Sequence, residues 1–402
     1  MLNVIFLCYV VNPEKTNKCS GLSVAGNKMQ TGIIKYLSKY SEINLYVISV
    51  RPIAPFPSDK RIYLSKETGS VYGVSTEEIP FINIPLIKQL SQAANVSKSL
   101  NNTIRGIESD KTIVFTYNMY PQIGKSAIKA MKRFGVRVVS LIADLPIDYA
   151  KNRGVIGNLL YKKYNKTTER LIGQVHNIIV LNKHAIDLFA PQAEDFIVID
   201  GGVDISDTQR IYRPTALDYK EKNLLYCGSL HRYSGALALA KSMSYIKNQD
   251  VVLDIYGSGE DKEKIIELSK KDSRIRYYGL VDNETIMKKQ KEAFLLVNPR
   301  PVNDPISQVT FPSKTFEYML SGTPVLSTRL NGLTEEYNNK LIFIEDDSEE
   351  GIASGIKKVL ETSDVELLSY AQEAYKFVVE ERNWEKQTRV IKNYLEKCAK
   401  RI

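Results

Sequence analysis

The segment VNPRPVNDPISQVTFPSKTFEYMLSGTPVLST, which spans Val297–Thr328, contains two strand-like runs with a helix between them. Its first apolar run ends just before Arg300 and is followed by a polar loop. A helix then opens with Pro312 in its first turn and ends at Gly322, residue types that favour helix starts and ends. The second apolar run, TPVLST, follows directly. A strand, a connecting helix and a second strand predict neighbouring parallel strands in one sheet.

The same alternation of short apolar strands and longer helical segments continues along nearly the whole chain. Strands are predicted at NVIFLCYVV, INLYVISV, TIVFTY, VRVVSLIAD, NIIVLN and DFIVID in the first half, and at NLLYCGSL, VVLDIYG, IRYYGLV, AFLLVNP, TPVLST and KLIFIED in the second. Continuous apolar strands separated by helices are typical of parallel sheets covered on both faces. We therefore expect an α/β fold with two Rossmann-like, doubly wound domains facing a cleft.

The length of 402 residues is too great for one ordinary core, and a polar, proline-containing stretch separates the two halves. We expect a first domain at 1–205, a linker at 206–222 and a second domain at 223–364. The last segment, 365–402, is helical in character and is expected to cross back to the first domain.

The net charge of +9 fits anionic small molecules, an acidic membrane surface or nucleic acid. Nucleic acid is the weakest of these partners, because the sequence contains no nucleic-acid recognition motif. The four cysteines lack metal-type spacing, which suits a reducing cytoplasm. The N-terminus has the pattern of a first strand and not of a signal peptide, and no run reaches the roughly 18 apolar residues of a membrane span.

Three charged residues surround the strand-to-helix connection of the opening segment. Arg300 follows a strand, where its guanidinium suits phosphate oxygens. The free amides of Ser313, Lys314 and Thr315 at the helix start are expected to face an anion, and Lys314 adds a positive charge. Glu317, one turn further, suits the two hydroxyls of a ribose. The alternative is a structural ion pair between Arg300 and Glu317 beside a solvated Lys314.

Glycine-containing loops follow other strands at the same predicted sheet edge. Gly228 and Ser229 come directly after one strand, where glycine permits close approach of a ligand to the backbone. Gly279, Leu280 and Val281 follow another, where backbone groups could read the edge of a base. The segment IYGSGEDKEKI lacks the third glycine of a dinucleotide fingerprint, which argues against such a cofactor.

The second half of the sequence resembles the retaining glycosyltransferases of family 4, the glycosyl transferases group 1. The matching runs are LLYCGSL, LDIYGSGE, RIRYYGLV, LLVNPR and FPSKTFEYMLSGTPVLST, in the family order, and VIDGGVDIS resembles the family's Gly-Val-Asp segment. The likeness covers roughly Ile197–Ile344, and the FPSK-like helix start is similar to that of capsule or exopolysaccharide members. The resemblance implies the GT-B fold and a nucleotide-diphosphate sugar bound to the second domain.

The resemblance also implies roles for individual residues of the second domain. Glu317 takes the place of the second glutamate of a paired-glutamate motif, which contacts the ribose. Val309 stands where the first glutamate would be, so the loop at 303–310 is expected to contact the sugar instead.

Two serines, Ser229 and Ser234, align with the family's usual arginine and lysine after the first strand of this domain. The diphosphate is therefore expected to be met by Arg300 and Lys314, with Arg232 as a further cation.

In the first domain, the family commonly has a His-Asp pair near the reacting centre. The segment IADLPIDY is similar and makes Asp144 the expected acceptor-side residue, with capping of a local turn as the alternative. The segment CSGLSVAGNKM resembles the family's first glycine-rich loop, where Ser20 and Gly21 would let donor phosphate or acceptor approach.

The implied reaction is a front-face substitution in which the leaving diphosphate helps to deprotonate the acceptor hydroxyl. The protein then supplies orientation and positive charge, which makes Arg300, Lys314 and Asp144 the expected catalytic residues. No carboxylate pair suggests a double displacement, and there is no Asp-x-Asp motif. We expect neither a metal nor a cofactor other than the nucleotide sugar as co-substrate.

Two segments, FINIPLIKQLSQAANVSKSL and NRGVIGNLLYKKYNKTTERLI, mix apolar and basic residues. They are expected either to contact an anionic membrane surface or to pack as ordinary helices with a solvated face. The expected acceptor is a saccharide or a lipid-linked saccharide, and the expected location is the cytoplasm or the inner face of the plasma membrane. Rival functions are another GT-B activity, such as a nucleotide-sugar epimerase, and a non-catalytic two-lobed nucleotide or sugar binding protein.

Overall fold

The structure, a computed structural model, describes residues 1–107, 111–147, 154–205 and 221–400. The predicted linker at 206–222 lies almost wholly outside the described residues. The chain divides into two compact units: unit 1 comprises Met1–Gly202 and Trp384–Ile402, and unit 2 comprises Val203–Asn383. Each unit is built around its own parallel or mainly parallel sheet.

Strands and helices alternate along most of the described residues. The strands are β1 (Leu2–Cys8), β2 (Ile43–Ser49), β3 (Tyr63–Leu64), β4 (Glu67–Val71), β5 (Val74–Glu78), β6 (Phe81–Ile82), β7 (Thr112–Tyr117), β8 (Arg137–Ile142), β9 (Asn177–Val180), β10 (Asp195–Val198), β11 (Lys222–Ser229), β12 (Val251–Ser258), β13 (Ile275–Gly279), β14 (Leu295–Asn298), β15 (Val325–Thr328) and β16 (Ile342–Ile344). The α-helices are α1 (Val24–Leu37), α2 (Ile87–Arg105), α3 (Pro121–Phe134), α4 (Gly154–Ile172), α5 (His184–Phe189), α6 (Ala236–Ser242), α7 (Lys262–Lys271), α8 (Asn283–Glu292), α9 (Pro305–Val309), α10 (Lys314–Leu320), α11 (Glu349–Glu361), α12 (Asp364–Glu381) and α13 (Trp384–Lys400). None of the described helices is long and apolar enough to cross a membrane.

The main sheet of unit 1 has the strand order β10-β9-β8-β7-β1-β2-β5-β4. Its strands are parallel except for the antiparallel pair β4 and β5 at one edge. Helices α1 and α13 pack together on one face, around a core that includes the stacked rings of Phe6 and Phe115. Helices α2, α3 and α4 pack side by side away from that core. The carboxyl ends of β1 and β7 form a switch point, because the chain continues to opposite sides of β1.

The sheet of unit 2 has the strand order β13-β12-β11-β14-β15-β16, and its neighbouring strands are all parallel. The chain moves outward from β11 to β13 and then returns to place β14 on the other side of β11. This is the order of a Rossmann domain, in which ligands bind beyond the carboxyl ends of the strands on either side of the reversal. The candidate site in this unit should therefore lie where β11 and β14 end.

The predicted fold class, α/β with two Rossmann-like parallel-sheet domains, is confirmed. Each of the twelve predicted strands contains or overlaps an observed strand, and the run TIVFTY coincides with β7. The hairpin of β4 and β5 was not predicted, because its polar strands lack an apolar run. Its two-residue turn, Tyr72-Gly73, has φ values of 48° and 82°, and the glycine there was the available signal for a tight hairpin turn.

The sequence suggested that the whole segment 365–402 packs on the first domain. In the structure the segment is divided between the two units. Helix α12 belongs to unit 2, where Leu367 joins the hydrophobic core, and only α13 returns to unit 1. The division follows from the buried side chains: Trp384, at the start of α13, is part of the core of unit 1.

Trp384 fixes α13 to unit 1 because two glycines leave room for its ring. A Cβ atom at Gly32 of α1 would lie 2.5 Å from the indole, and one at Gly202 would lie 2.9 Å from it. A large side chain buried in this way contributes strongly to stability.

We predict that Trp384→Ala lowers the free energy of unfolding by about 3–5 kcal/mol, because truncation leaves a cavity between α13 and α1. Urea denaturation followed by circular dichroism measures the change. The control is Val390→Ala, a partly exposed position on the same helix, where we expect a change within about 0.5 kcal/mol. Equal losses for the two variants would contradict this account of how α13 is held.

Candidate functional site

The loops that follow β11 and β14 touch each other at the switch point of unit 2. Gly235 has φ of +75°, and a Cβ atom there would lie 1.8 Å from the carbonyl oxygen of Pro299. A side chain is therefore excluded on two grounds, the backbone conformation and the lack of space. This contact holds the loop that carries Arg300 against the end of β11.

Lys314 lies directly over the end of β11. Its Nζ donates a hydrogen bond to the carbonyl oxygen of Cys227 at 2.7 Å. Tyr318, one turn further along α10, donates to the same oxygen at 3.2 Å and accepts a hydrogen bond from the Cys227 amide at 3.0 Å. A Cβ atom at Gly228 would come within 2.6 Å of Lys314 Nζ. Gly228 thus leaves the space in which the ammonium group sits.

Arg300, just beyond the end of β14, is held by contacts of both its side chain and its backbone. Its guanidinium donates to Thr310 Oγ1 at 3.4 Å and lies 5.8 Å from the ring centre of Tyr233. Its carbonyl oxygen accepts a hydrogen bond from Thr328 at 2.6 Å. Burial raises the pKa of Tyr226 on β11, and the Arg300 charge opposes that increase. The guanidinium therefore lies within electrostatic reach of the strand end that Lys314 also contacts.

The start of α10 differs from the predicted anion site. The helix begins at Lys314 and spans seven residues, so its dipole is weaker than a long helix would supply. The amide of Thr315 donates to the carbonyl oxygen of Pro312 at 2.8 Å, and its hydroxyl is buried with no hydrogen-bond partner among the residues that the structure describes. The expectation that the Thr315 amide faces an anion is therefore wrong. Ser313 is exposed at the helix cap, and Glu317 is half-buried, three residues after Lys314 on the same side of the helix.

The other predicted donor-binding residues lie at the same carboxyl edge of the unit 2 sheet, but they are spread over the ends of different strands. Ser229 Oγ is 3.4 Å from the hydroxyl of Tyr233, beside Arg300. The Arg232 side chain is exposed, while its amide donates to Glu260 at 2.9 Å.

Gly279 is the last residue of β13, which lies two strands away from β11, and Leu280 and Val281 follow it. Gly279 has φ of +74°, and both Leu280 and Val281 are exposed. An apolar loop open to solvent at this edge can cover the face of a base.

Two features of this edge were not predicted from the sequence. Tyr318 anchors α10, and its four-residue spacing from Lys314 was the available signal. The glycines of the GSG run at the end of β12 are needed for packing, since a Cβ atom at Gly257 would lie 1.7 Å from the carbonyl oxygen of Gly228. These glycines bring the loops after β11 and β12 together, which accounts for a run that superficially resembles a dinucleotide fingerprint.

A second polar cluster lies at the carboxyl ends of β7 and β8 in unit 1. Asp144 Oδ2 accepts hydrogen bonds from Asn118 Nδ2 and from the Tyr120 hydroxyl, both at 3.0 Å. The other side-chain atom of Asn118, Oδ1, accepts from the amides of Ala143 and Asp144 at 2.8 and 2.9 Å. Asn118 itself is fully buried with φ of 63°, a conformation that costs free energy and is found more often at functional sites. These contacts place Asp144 where the loops that follow β7 and β8 meet.

Three tyrosines surround this carboxylate. The ring of Tyr120 lies 5.8 Å from that of Tyr9, which follows β1, and 5.9 Å from that of Tyr164 on α4. The Tyr9 hydroxyl is buried without a hydrogen-bond partner in the described residues. Asp144 is exposed at the surface, but the protein packed around its carboxyl group desolvates that group and raises its pKa. The hydrogen bonds from Tyr120 and Asn118 oppose that effect.

Ser20 and Gly21 are tied to a different part of unit 1. Ser20 Oγ donates to Asp59 at 2.7 Å and accepts from the amide of Ala54 at 3.0 Å. The Gly21 amide donates to the carbonyl oxygen of Pro52 at 3.0 Å. Both residues therefore brace a loop, and no contact joins them to Asp144 in the described residues.

Residues 221–362 match the family model described as glycosyl transferases group 1. No curated protein matches the sequence significantly. Among solved structures, a glycosyltransferase from Rickettsia africae is 14% identical over 100% of both chains, with a TM-score of 0.68. Sucrose-phosphate synthase from Thermosynechococcus elongatus is 12% identical over 99% of both chains, with a TM-score of 0.66.

Anabaena HepE, solved in complex with UDP, is also similar: it is 14% identical over 98% of this chain and 100% of its own, with a TM-score of 0.62. At these identities the structural likeness establishes the fold, which is of the GT-B type. Together with the family match to unit 2, it supports the predicted class of a GT-B glycosyltransferase.

The raised pKa of Asp144 predicts a pH-dependent effect of removing its charge. Because the folded protein holds the Asp144 proton more tightly than the unfolded chain, ionisation above the ordinary aspartate range lowers the free energy of unfolding. Asp144→Asn should therefore be at least as stable as the wild type near about pH 7, and should lose this advantage near about pH 3. Urea denaturation at both pH values measures the difference.

Asp272 is the control residue, because its pKa is shifted in the opposite direction. Hydrogen bonds from Arg274 lower the pKa of Asp272. Asp272→Asn should be less stable than the wild type near about pH 7, since that carboxylate stabilises the folded state when ionised. If Asp144→Asn instead behaved like Asp272→Asn, the account of a desolvated carboxyl group at Asp144 would be wrong.

Proposed function

We propose that the protein transfers a sugar from a nucleotide-diphosphate sugar, of the UDP or GDP type, to a saccharide or lipid-linked saccharide. The observation that carries the proposal is the placement of Lys314 and Arg300 at the ends of β11 and β14. These strands flank the switch point of the unit that matches the glycosyl transferases group 1. Two cations at this position suit a diphosphate.

Unit 2 is the proposed donor-binding unit. The guanidinium of Arg300 and the ammonium group of Lys314 would bind the diphosphate oxygens. Lys314 can do so while keeping its hydrogen bond to Cys227, because an ammonium group has three donors. Glu317, on the same side of α10, would accept hydrogen bonds from the ribose hydroxyls. The exposed side chain of Arg232 offers a further cation.

The loops nearby complete the proposed donor site. Gly228 and Ser229 would allow the diphosphate to approach the backbone, and the exposed cap at Ser313 offers a hydroxyl beside it. The exposed loop of Leu280 and Val281, which begins at Gly279, would cover the base.

In the proposed reaction, the bond between the anomeric carbon and the diphosphate oxygen breaks while a bond to the acceptor oxygen forms on the same face. The proton of the acceptor hydroxyl passes to the departing phosphate, and the anomeric configuration is retained. Arg300 and Lys314 stabilise the negative charge that develops on the diphosphate, the contribution expected of preorganised cations in a transition state. We propose that no metal or additional cofactor takes part.

Asp144 is the proposed acceptor-side residue of unit 1. Both of its hydrogen bonds from described residues go to Oδ2, which leaves Oδ1 to accept one from a sugar hydroxyl. The ring of Tyr120 offers an apolar face for a pyranose beside the carboxylate.

The HepE structure in complex with UDP supports a nucleotide donor by analogy of fold. A role in capsule or exopolysaccharide synthesis at the inner face of the membrane completes the proposal.

A panel of UDP- and GDP-sugars assayed for nucleotide release tests the proposed function. Glu317→Ala should reduce kcat/KM by about 100-fold or more, because two charge-assisted hydrogen bonds to the ribose are lost. The matched control is Glu263→Ala, an exposed carboxylate on α7 of the same unit, which should leave kcat/KM unchanged. Normal turnover by a folded Glu317→Ala protein would remove the ribose assignment, and binding without any turnover would favour a non-catalytic binding protein.

Arg300→Ala should weaken UDP or GDP binding by roughly 10- to 100-fold while changing the affinity for the bare nucleoside little, because the arginine acts on phosphate. Isothermal titration calorimetry with both ligands measures the contrast. The control is Arg276→Ala, which removes a guanidinium on the edge strand β13 of the same sheet. That guanidinium pairs with Glu221, and its loss should affect the binding of neither ligand. Equal losses for nucleotide and nucleoside would show that Arg300 does not contact phosphate.

A further inference from the structure

Three neighbouring helices of unit 1 carry the positive charge of the chain. Helices α2, α3 and α4 pack side by side, apart from the core that α1 and α13 share. Together they contain eleven lysine and arginine residues and one glutamate, a net charge of +10, whereas the whole chain has a net charge of +9. The rest of the chain is therefore close to neutral, and this face is complementary to an anionic surface.

The solvent face of α3, the middle helix, is entirely basic. The residues that share this face are Lys125, Lys129, Lys132 and Arg133, and all four are exposed. Their spacing of three and four residues aligns them in one stripe along the helix. Because α3 contains no acidic residue, this charge is not compensated within the helix.

Helix α4 continues the basic face but begins with apolar side chains in water. The exposed fractions are 87% for Val155, 76% for Ile156 and 68% for Leu159. Lys162, Lys163 and Lys166 follow on the same solvent side, while the opposite side buries Leu171 and Ile172. The helix is thus packed through one face only, and its outward face changes from apolar to basic along its length.

The start of α2 repeats this arrangement, with Leu86, Ile87 and Leu90 exposed. Helix α4 connects the parallel strands β8 and β9, so it begins at the carboxyl edge of the sheet. Helix α2 ends before β7 and packs along α3, which places its first turn towards the same edge. The exposed apolar side chains of both helices therefore lie at the sheet edge that carries Asp144.

We propose that this face of unit 1, formed by α2, α3 and α4, binds the surface of a bilayer that contains anionic lipids. The apolar first turns of α2 and α4 insert among the acyl chains, and the lysines and arginines contact lipid phosphates. Nucleic acid would engage the basic side chains but leave Val155, Ile156 and Leu159 in water, so a bilayer fits the face better. In linking membrane binding to a lipid-linked acceptor near Asp144, the inference rests on the proposed function.

Co-sedimentation with vesicles tests the proposal, with vesicles of phosphatidylcholine alone and of phosphatidylcholine mixed with phosphatidylglycerol. The wild-type protein should bind the anionic vesicles and release them as salt is raised. The double variant Val155→Ser/Leu159→Ser should bind them at least about tenfold more weakly. The matched control is Leu188→Ser/Val365→Ser, which changes the same residue types at exposed positions on α5 and α12 and should bind like the wild type.

The basic part of the face is tested by Lys162→Gln/Lys166→Gln, which should lower vesicle affinity roughly tenfold, since each lysine near an anionic bilayer contributes to binding. The control is Lys270→Gln/Lys271→Gln, two exposed lysines at the end of α7, which should have no effect.

Four results would overturn the proposal: no binding of wild type to anionic vesicles, equal losses in the test and control variants, displacement from vesicles by single-stranded RNA at stoichiometric amounts, or a self-association that Val155→Ser/Leu159→Ser abolishes. Binding is measured without donor, and nucleotide release is measured without vesicles. A protein that binds vesicles but releases no nucleotide would refute the proposed function and leave this surface standing as a membrane contact. A protein that releases nucleotide but ignores vesicles would refute the surface alone.

Discussion

The carbonyl oxygen of Cys227 organises the candidate donor site. It accepts hydrogen bonds from both Lys314 and Tyr318, which lie one turn apart on α10, and so it ties the start of that helix to the end of β11. Gly228 leaves the space for the ammonium group, and Gly235 lets the Arg300 loop close against the same strand end. Without these contacts the start of α10 and the loop of Arg300 would not be held against the same strand end, and the charge offered to a ligand would not be preorganised.

The two units place polar residues at equivalent positions of their sheets, but the residue types differ. Each places its polar residues at the carboxyl ends of parallel strands next to a switch point. In unit 2 the residues are cations held near glycines, which suits a diphosphate. In unit 1 they are Asp144 and Tyr120, with Asn118 holding both loops in place through its amide, which suits the hydroxyl groups of a sugar. The difference in charge between these two edges matches the division between donor and acceptor that we propose.

Much of the fold could be predicted because buried parallel strands form continuous apolar runs. The hairpin of β4 and β5 could not, since its strands are polar and pair at an edge. The separation of α12 from α13 depends on tertiary packing at Leu367 and Trp384, which periodicity does not reveal. In the candidate donor site, Arg300, which follows β14, and Lys314, which opens α10, were chosen from their positions in the sequence, and their contact with a donor stays a prediction.

Tyr318, Asn118 and Tyr120 were not predicted, because each acts on a residue of a different loop that is distant in sequence. The Thr315 amide was assigned wrongly, because the local turn that binds it to Pro312 cannot be distinguished from an open helix start by residue type. Residue type and strand order therefore indicate a candidate site, whereas the partners that hold its side chains come from the three-dimensional packing.

A crystal structure of the protein with bound UDP or GDP tests the central claim most directly. We predict that oxygens of the diphosphate lie within about 3 Å of both the Arg300 guanidinium and Lys314 Nζ. A nucleotide ordered elsewhere, with these two side chains in contact only with protein and water, would contradict the assignment of the donor site and the transferase function built on it.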